Sequence, residues 1–345
     1  CSPLDVTFPS VVGAVSYQWT FGDGSTGAGP SPMHTYINTT TNDQVFNVTL
    51  IGANAFGCTD TAMADVIVYP NPIAQFTTTP LSGCHPLTAQ LTNNSTGAAD
   101  FQWTYGDGAS SDTTLAVHEH TWYNYAGPGA LTYPITLTVT TDHGCTNSAT
   151  AQVQVFPQVI AAFVADSAGC APLDVDFTNV SSGADSYQWT FGDQQASTAT
   201  APSHTYFNSG LADETFIPQL IATSQFGCSD TATAPILVHP QPIAQFIPGV
   251  LQGCQPLNVP FQDLTIGADS VLWQFGDGSF LSTLPGNTTH SYAHSGQVPL
   301  TFNATLIATT PFGCSDTTLH PVEVFPAVQA AFTANPSGCS PVSVA

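Results

Sequence analysis

The chain has 345 residues, with 23 Asp and Glu against no Lys or Arg, a formal net charge of −23. It therefore cannot neutralise nucleic-acid phosphates, hold an anionic membrane through a polybasic segment, or use lysine Schiff-base, P-loop, arginine-clamp or Lys–Asn cross-link chemistry. At 42% hydrophobic and 10% aromatic it can bury cores, unlike a disordered acidic chain, yet it has no run of about 18 apolar residues to cross a bilayer as a helix.

A fixed internal period organises everything that follows. Cys-x-Pro stands at Cys1, Cys84, Cys170, Cys254 and Cys339, preceded by Gly in all but the first copy, at spacings of 83, 86, 84 and 85 residues. After each of the first four copies the same landmarks return. Leu4, Val6 and Phe8 alternate with Asp5 and Thr7, as Leu173, Val175 and Phe177 do in the third unit, and this period of two predicts a strand. Next comes Trp-x-aromatic-Gly-Asp, at Trp19/Asp23, Trp103/Asp107, Trp189/Asp193 and Trp273/Asp277. A His-x-aromatic pair follows at His34/Tyr36, His120/Trp122, His204/Tyr206 and His290/Tyr292. Each unit closes on a second Gly-Cys, at Cys58, Cys145, Cys228 and Cys314. In the second unit that Gly-Cys follows the strand-like Ile135, Leu137 and Val139 and precedes Val153 and Val155.

Helical stripes are absent. About seven short strands in ~85 residues, with a Trp in a central strand, predict an all-β fold with a small β-sandwich in each unit. The linkers are short and marked by proline: Tyr69-Pro70-Asn71-Pro72, Phe156-Pro157, His239-Pro240-Gln241-Pro242 and Phe325-Pro326. Such spacers are semi-rigid, so the array is expected to be an extended rod. The repeats are expected at 1–69 (truncated at its start), 70–156, 157–239 and 240–325, with 326–345 forming the first strands of a fifth that include Phe332.

Tyr17-Gln18-Trp19-Thr20-Phe21-Gly22-Asp23-Gly24, followed by His34-Thr35-Tyr36, resembles the signature of the PKD (polycystic kidney disease) domain, and does so four times over essentially the whole chain. The third copy departs from it, with Gln194 where the others carry Gly24, Gly108 and Gly278, which points to an altered turn. The resemblance implies an immunoglobulin-like fold and a role as spacer, adhesin stalk or accessory module. It also implies a surface-exposed or secreted bacterial protein, of the kind found in Bacteroidota.

Each chemistry-bearing motif has a bland alternative. Gly-Asp-Gly resembles a calcium loop, but one carboxylate per repeat is too few, and an Asp bonding its own turn accounts for it. His118-Glu119-His120 sets two imidazoles on one strand face, as a zinc site would, yet a third ligand is lacking and packing histidines are the simpler reading. No nucleophile elbow is present and the polar landmarks recur in every unit, so neither an enzyme, a cofactor nor a metal is expected. The strand tryptophans read as core. Trp122 with Tyr123 and Tyr125 forms an aromatic cluster peculiar to the second unit, a candidate glycan or partner contact. Asp-Ser/Thr-apolar triplets mark Thr61, Ser167, Thr231 and Ser270 as candidate O-glycosylation sites.

Two cysteines per small repeat indicate an oxidising compartment and a disulfide framework taking in all nine. Pairing within units gives Cys1–Cys58, Cys84–Cys145, Cys170–Cys228 and Cys254–Cys314 and closes loops of ~60 residues, worth about 4 kcal/mol each. In a sandwich, however, the two cysteines fall at opposite ends of the strands, roughly 24 Å apart, whereas bonded Cα atoms lie within ~7 Å. Pairing between neighbours in a head-to-tail array gives Cys1–Cys145, Cys84–Cys228 and Cys170–Cys314, with Cys58, Cys254 and Cys339 bonded outside these residues. Geometry favours the second scheme. The chain lacks a start Met and opens and closes inside the same motif, so it is expected to be one four-domain window of a longer repeating protein whose next copy supplies the missing strands. The function expected is that of a non-enzymatic structural segment of an extracellular filament, stalk or adhesin. The alternative is a spacer and carbohydrate-binding region of a secreted hydrolase. Expected partners are further copies of itself or flanking repeats, with glycans or cell-surface components as further candidates.

Overall fold

The computed structural model describes residues 1–9 and 12–333, and no helix occurs among them. By contacts the chain divides into two compact units, residues 1–159 with 224–228, and residues 160–223 with those from 229 onward.

In the first unit the second repeat shows the full pattern. One sheet has five strands in the order Ser110–Ser111, Asp100–Thr104, Leu131–Thr140, Thr146–Phe156, Ser82–Cys84. The other has three: Val117–Trp122, Leu87–Asn93 and Phe76–Thr79. All pairs are antiparallel except the short Ser82–Cys84, which runs parallel to the end of Thr146–Phe156, with Cys84 opposite Phe156. The inward residues of both sheets meet in one core of Leu87, Leu91, Trp103, Trp122, Ile135, Leu137, Val153 and Val155. The alternation that sets this face is the one read from the sequence, since side chains on a strand point to opposite sides with period two. The first repeat pairs Leu4–Thr7 with Met33–Tyr36 and has a four-stranded sheet of Thr26–Ala28, Ser16–Thr20, Gln44–Ala53 and Thr59–Val68 around Phe8, Trp19, Phe21 and Tyr36.

In the second unit the fourth repeat copies the 5 + 3 arrangement of the second, around Phe246, Phe261, Trp273 and Tyr292. The third repeat differs in its long hairpin. Its strands are cut into Glu214–Phe216 with Ile236–His239 and Gln219–Thr223 with Ser229–Thr233. The cut falls where Pro218 and Pro235 occupy neighbouring rungs of the ladder. Each removes a backbone donor there, so the hairpin splits into two ladders. The equivalent hairpins of the second and fourth repeats carry one proline each, Pro134 and Pro321, and stay continuous.

Two sequence expectations change. Residues 326–333, Phe332 included, form no strand, and the rest of the expected fifth repeat, with Cys339, lies outside the described residues. The turn at Gln194 is not altered. Phe191 N–H donates to the Gln195 carbonyl there, as Phe21 does to Ser25, Tyr105 to Ala109 and Phe275 to Ser279. Gln194 adopts φ 75°, beside +91° to +93° at Gly24, Gly108 and Gly278. The turn thus imposes the left-handed conformation on a side chain that disfavours it by ~1–2 kcal/mol. Glycine would relieve that cost but lose roughly 0.5–1 kcal/mol to its own backbone freedom. Gln194→Gly should therefore stabilise the third repeat by about 0.5–1 kcal/mol, seen as native-state amide exchange about two- to fivefold slower along Ser186–Thr190. Unchanged or faster exchange would contradict this account.

Candidate functional site

Two constellations recur from repeat to repeat. The first is a stack on the surface of each sandwich. In the first repeat Asp23 Oδ1 accepts the backbone N–H of Ser25, closing the Gly-Asp-Gly turn, while Asp23 Oδ2 lies 2.7 Å from His34 Nε2. The imidazole lies flat on Phe21, centroids 4.1 Å apart, with its edge against the buried Tyr36. The same stack is built by Asp107, His120 and Tyr105, by Asp193, His204 and Phe191, and by Asp277, His290 and Phe275, each with an Asp–His distance of 2.7 Å. Sequence reading took these histidines as packing residues and missed their carboxylate partner.

Burial pushes the Asp23 carboxyl up, but the Ser25 hydroxyl and amide together with His34 outweigh it and hold the group at about 2. Asp277, served likewise by Ser279 and His290, also lies at about 2. Asp107 and Asp193 are lowered too, against burial, although Ala109 and Gln195 offer them only a backbone donor. Burial, then the nearby Asp23 charge, pushes the Tyr36 phenol up to about 12. Ser25 Oγ approaches His34 at 3.2 Å, which gives the trio the composition of a hydrolase triad. Its connectivity is different: Ser and Asp both address Nε2, whereas a relay needs them on opposite ring nitrogens.

His118 does not join His120 in a metal site. It hydrogen-bonds the Tyr105 hydroxyl at 2.9 Å and sets its ring edge-to-face with Trp103, and burial followed by the His120 charge lowers its pKa. Among the described residues no three His, Cys, Asp or Glu side chains converge to hold a metal ion. The expected Trp122 surface cluster is also corrected. Trp122 is fully buried, donates its indole N–H to the Tyr105 carbonyl and fills the place of Tyr36, Tyr206 and Tyr292. Only Tyr123 and Tyr125 remain outside, stacked 5.8 Å apart beside His85. Trp19, Trp103, Trp189 and Trp273 are all core. Thr61, Ser167 and Thr231 are exposed and Ser270 is half-buried.

The second constellation joins one repeat to the next. In the first unit Cys1 bonds Cys145 and Cys84 bonds Cys228, with Cα separations of 5.4 and 5.6 Å; in the second unit Cys170 bonds Cys314 at 5.4 Å. The reason is visible in the second repeat. Cys84 sits opposite Phe156, whereas Cys145 immediately precedes the start of the eleven-residue strand Thr146–Phe156, so the strand's length holds them about 35 Å apart. The second cysteine of each pair lies in a tight turn, in which Thr141 donates its N–H to the Cys145 carbonyl and Gly144 takes φ +79°.

Two further contacts accompany these bonds. A ring at the end of one repeat stacks on a ring two residues before the next repeat's turn cysteine. The pairs are Tyr69 on His143 at 3.7 Å and Phe156 on Phe226 at 4.8 Å in the first unit, and His239 on Phe312 at 3.8 Å in the second. Two residues after that cysteine, a polar side chain latches the proline linker. Asn147 donates to the Pro72 carbonyl in the first unit; Asp230 and Asp316 accept the N–H of Ala161 and Ala244 in the second. Cys58 and Cys254 are free and exposed.

The repeating Trp-to-Asp strand, the Asp–His stack and the sandwich around them now stand together, and the sequence matches the PKD domain over residues 4–68, 69–155 and 157–238. The chain belongs to the PKD domain family. No curated protein matches it. Among solved structures it is similar to a PKD domain of the Vibrio cholerae metalloprotease PrtV, at 23% identity and a TM-score of 0.20 over 25% of this chain and 99% of that one. An ice-binding adhesin of an Antarctic bacterium matches at 12% identity and a TM-score of 0.28 over 94% of each chain. An I-band fragment from titin matches at 11% identity and a TM-score of 0.41 over 76% of this chain and all of that one.

The PKD stack carries a pH signature whose sign follows from the depressed carboxyls. A group lowered from about 3.8 to about 2 lends stability above its unfolded value, and that stability drains away as the pH falls through about 2. Ser25→Ala removes a donor to the ionised form, so the Asp23 pKa should rise toward its ordinary value and acid loss should begin at higher pH. Carboxyl-carbon NMR titration checks this, with Asp107, which has no such hydroxyl, as the internal reference. An Asp23 midpoint that stays at about 2 would contradict it.

Proposed function

We propose that this PKD array is a non-enzymatic structural segment of a long extracellular filament, stalk or adhesin. The observation that carries the reading is the bonding of each repeat to its neighbour through Cys1–Cys145, Cys84–Cys228 and Cys170–Cys314. A spacer that only tethers two domains needs no cross-links along its length, whereas a load-bearing element gains from having each linker bridged. Disulfides of this number belong to oxidising, extracellular settings. The triad-like trio cannot act as a proton relay, since Ser25 and Asp23 share one nitrogen of His34. Exposed Thr61, Ser167 and Thr231 are proposed as O-glycosylation sites.

Immunogold electron microscopy of the producing cells tests the proposal, using an antibody raised against the whole chain. Label is expected along fibres outside the cell, at recurring intervals. Label confined to the cell interior, or to a soluble secreted hydrolase, would overturn it.

A further inference from the structure

The joints between repeats are of two kinds, and along the chain they alternate. Cys1 and Cys170 stand 169 residues apart, as do Cys145 and Cys314, and Cys84 and Cys254 stand 170 apart, so the sequence recurs more evenly over two repeats than over one. The linkers agree. Tyr69-Pro70-Asn71-Pro72-Ile73-Ala74-Gln75-Phe76 and His239-Pro240-Gln241-Pro242-Ile243-Ala244-Gln245-Phe246 are nearly the same, whereas the linker after the second repeat opens Phe156-Pro157-Gln158-Val159. So do the carboxylates. The buried Asn38, Asn208 and Asn124 each donate to a loop carbonyl, at Asn42, Ala212 and Gly129. The residue after that carbonyl is Asp43 in the first repeat and Asp213 in the third, but Ala130 in the second.

Each of these aspartates meets a histidine that belongs to the ring stack of its joint. In the first unit Asp43 Oδ2 lies 3.7 Å from His143 Nε2, and His143 stacks on Tyr69. In the second unit Asp213 Oδ1 lies 2.8 Å from His239 Nδ1, and His239 stacks on Phe312. The histidine has changed sides. It comes from the turn of the later repeat in one joint and from the last strand of the earlier repeat in the other, yet the Asp of the earlier repeat reaches it in both. The joint without the Asp has no histidine in its stack either, only Phe156 on Phe226. Two phenyl rings fill that place well, so ring packing alone does not call for the polar pair. What the exchange of sides preserves is a carboxylate, an imidazole and an aromatic face together, a set that holds a cation once the imidazole takes a proton.

We infer that the joints closed by Cys1–Cys145 and Cys170–Cys314 are tightened by protonation of His143 and His239, and that the joint closed by Cys84–Cys228 is not. Histidine changes charge between about pH 5 and pH 8. The imidazolium is attracted by the carboxylate at its edge and by the face of the ring against it, whereas the neutral ring has only a stack and an ordinary hydrogen bond. The added hold is therefore present in acid and is lost as the pH rises through the histidine range. Few groups face either imidazole. Asp43 and Tyr69 face His143, with Asp142 beside it in its own turn. Asp213 and Phe312 face His239, Cys170 opposite it is already bonded, and Asp316 of the same joint is taken by the Ala244 N–H. His239 is the more buried of the two histidines and has the shorter contact.

A joint that holds its two cysteines together more firmly makes their disulfide harder to reduce by the same factor. The test uses the full chain with Cys58→Ser, Cys254→Ser and Cys339→Ser, so that only the six bonded cysteines remain. It is equilibrated with glutathione redox buffers at about pH 5 and about pH 8, the thiols are blocked, and peptide mapping reads the oxidised-to-reduced ratio of each disulfide. Dividing by the ratio for Cys84–Cys228 in the same sample removes the pH dependence common to all thiol exchange. The quotients for Cys1–Cys145 and Cys170–Cys314 should be about two- to fivefold higher in acid, the size of one added ion pair and one cation–ring contact. Asp43→Ala with His143→Phe gives the first joint the composition of the second. That variant should abolish the change at Cys1–Cys145 and leave the change at Cys170–Cys314 intact. Asp213→Asn, which keeps the shape and removes the charge, should reduce the change at Cys170–Cys314 alone. Quotients that are equal at the two pH values or higher at the alkaline one, a response at only one of the two joints, or a change that survives Asp43→Ala with His143→Phe would each overturn the inference. The assay reads joints whatever the array is used for, so its failure leaves surface labelling of cells to judge the structural reading separately.

Discussion

The length of one β-hairpin governs this protein. Strands of ten and eleven residues, Gln44–Ala53 with Thr59–Val68 and Leu131–Thr140 with Thr146–Phe156, put the two cysteines of a repeat at opposite ends. A bond within the repeat is then out of reach, and each cysteine is presented instead to a neighbour. Only a hairpin of about two residues per strand would bring the pair within the ~7 Å that a disulfide spans and leave the linkers unbridged. The choice between a string of self-contained domains and a cross-linked array therefore rests on strand length rather than on the number of cysteines.

With no Lys or Arg, the chain must satisfy its carboxylates in other ways. Asp23, Asp107, Asp193 and Asp277 each turn to a histidine and to the backbone of their own loop. Asp230 and Asp316 take linker N–H groups. Asn147, at the equivalent place, reverses the polarity and donates to Pro72, the linker residue that has a carbonyl but no N–H. Hydrogen bonds to a carboxylate are stronger than neutral ones, which lets an anionic chain stay anchored without Lys or Arg.

Much of this was legible in the residues. Alternation around Leu4, Trp19 and Ile135 located strands and core because a two-sheet sandwich buries every second side chain. The Asp–His partnership was not legible. His34 and His204 lie 11 residues beyond their aspartates, His120 and His290 lie 13 beyond, and the segment between them, short strand and loop together, absorbs the difference. Trp122 misled because aromatic neighbours in sequence, Tyr123 and Tyr125, are not neighbours on a strand face: one points inward and the others stay outside. Also hidden was the buried Asn two residues after the core ring, where Asn38, Asn124 and Asn208 donate to Val68, Val155 and Val238 and His294 serves Val324. A polar residue after an aromatic one signals nothing until the facing carbonyl is in place.

The three disulfides close loops that overlap along the chain, from 1 to 145, from 84 to 228 and from 170 to 314. Every peptide bond between Cys1 and Cys314 lies inside at least one of them. A protease that cuts once anywhere in this stretch therefore nicks the polypeptide without severing it, since the two fragments stay tied through sulfur. Backbone continuity is thus held in duplicate.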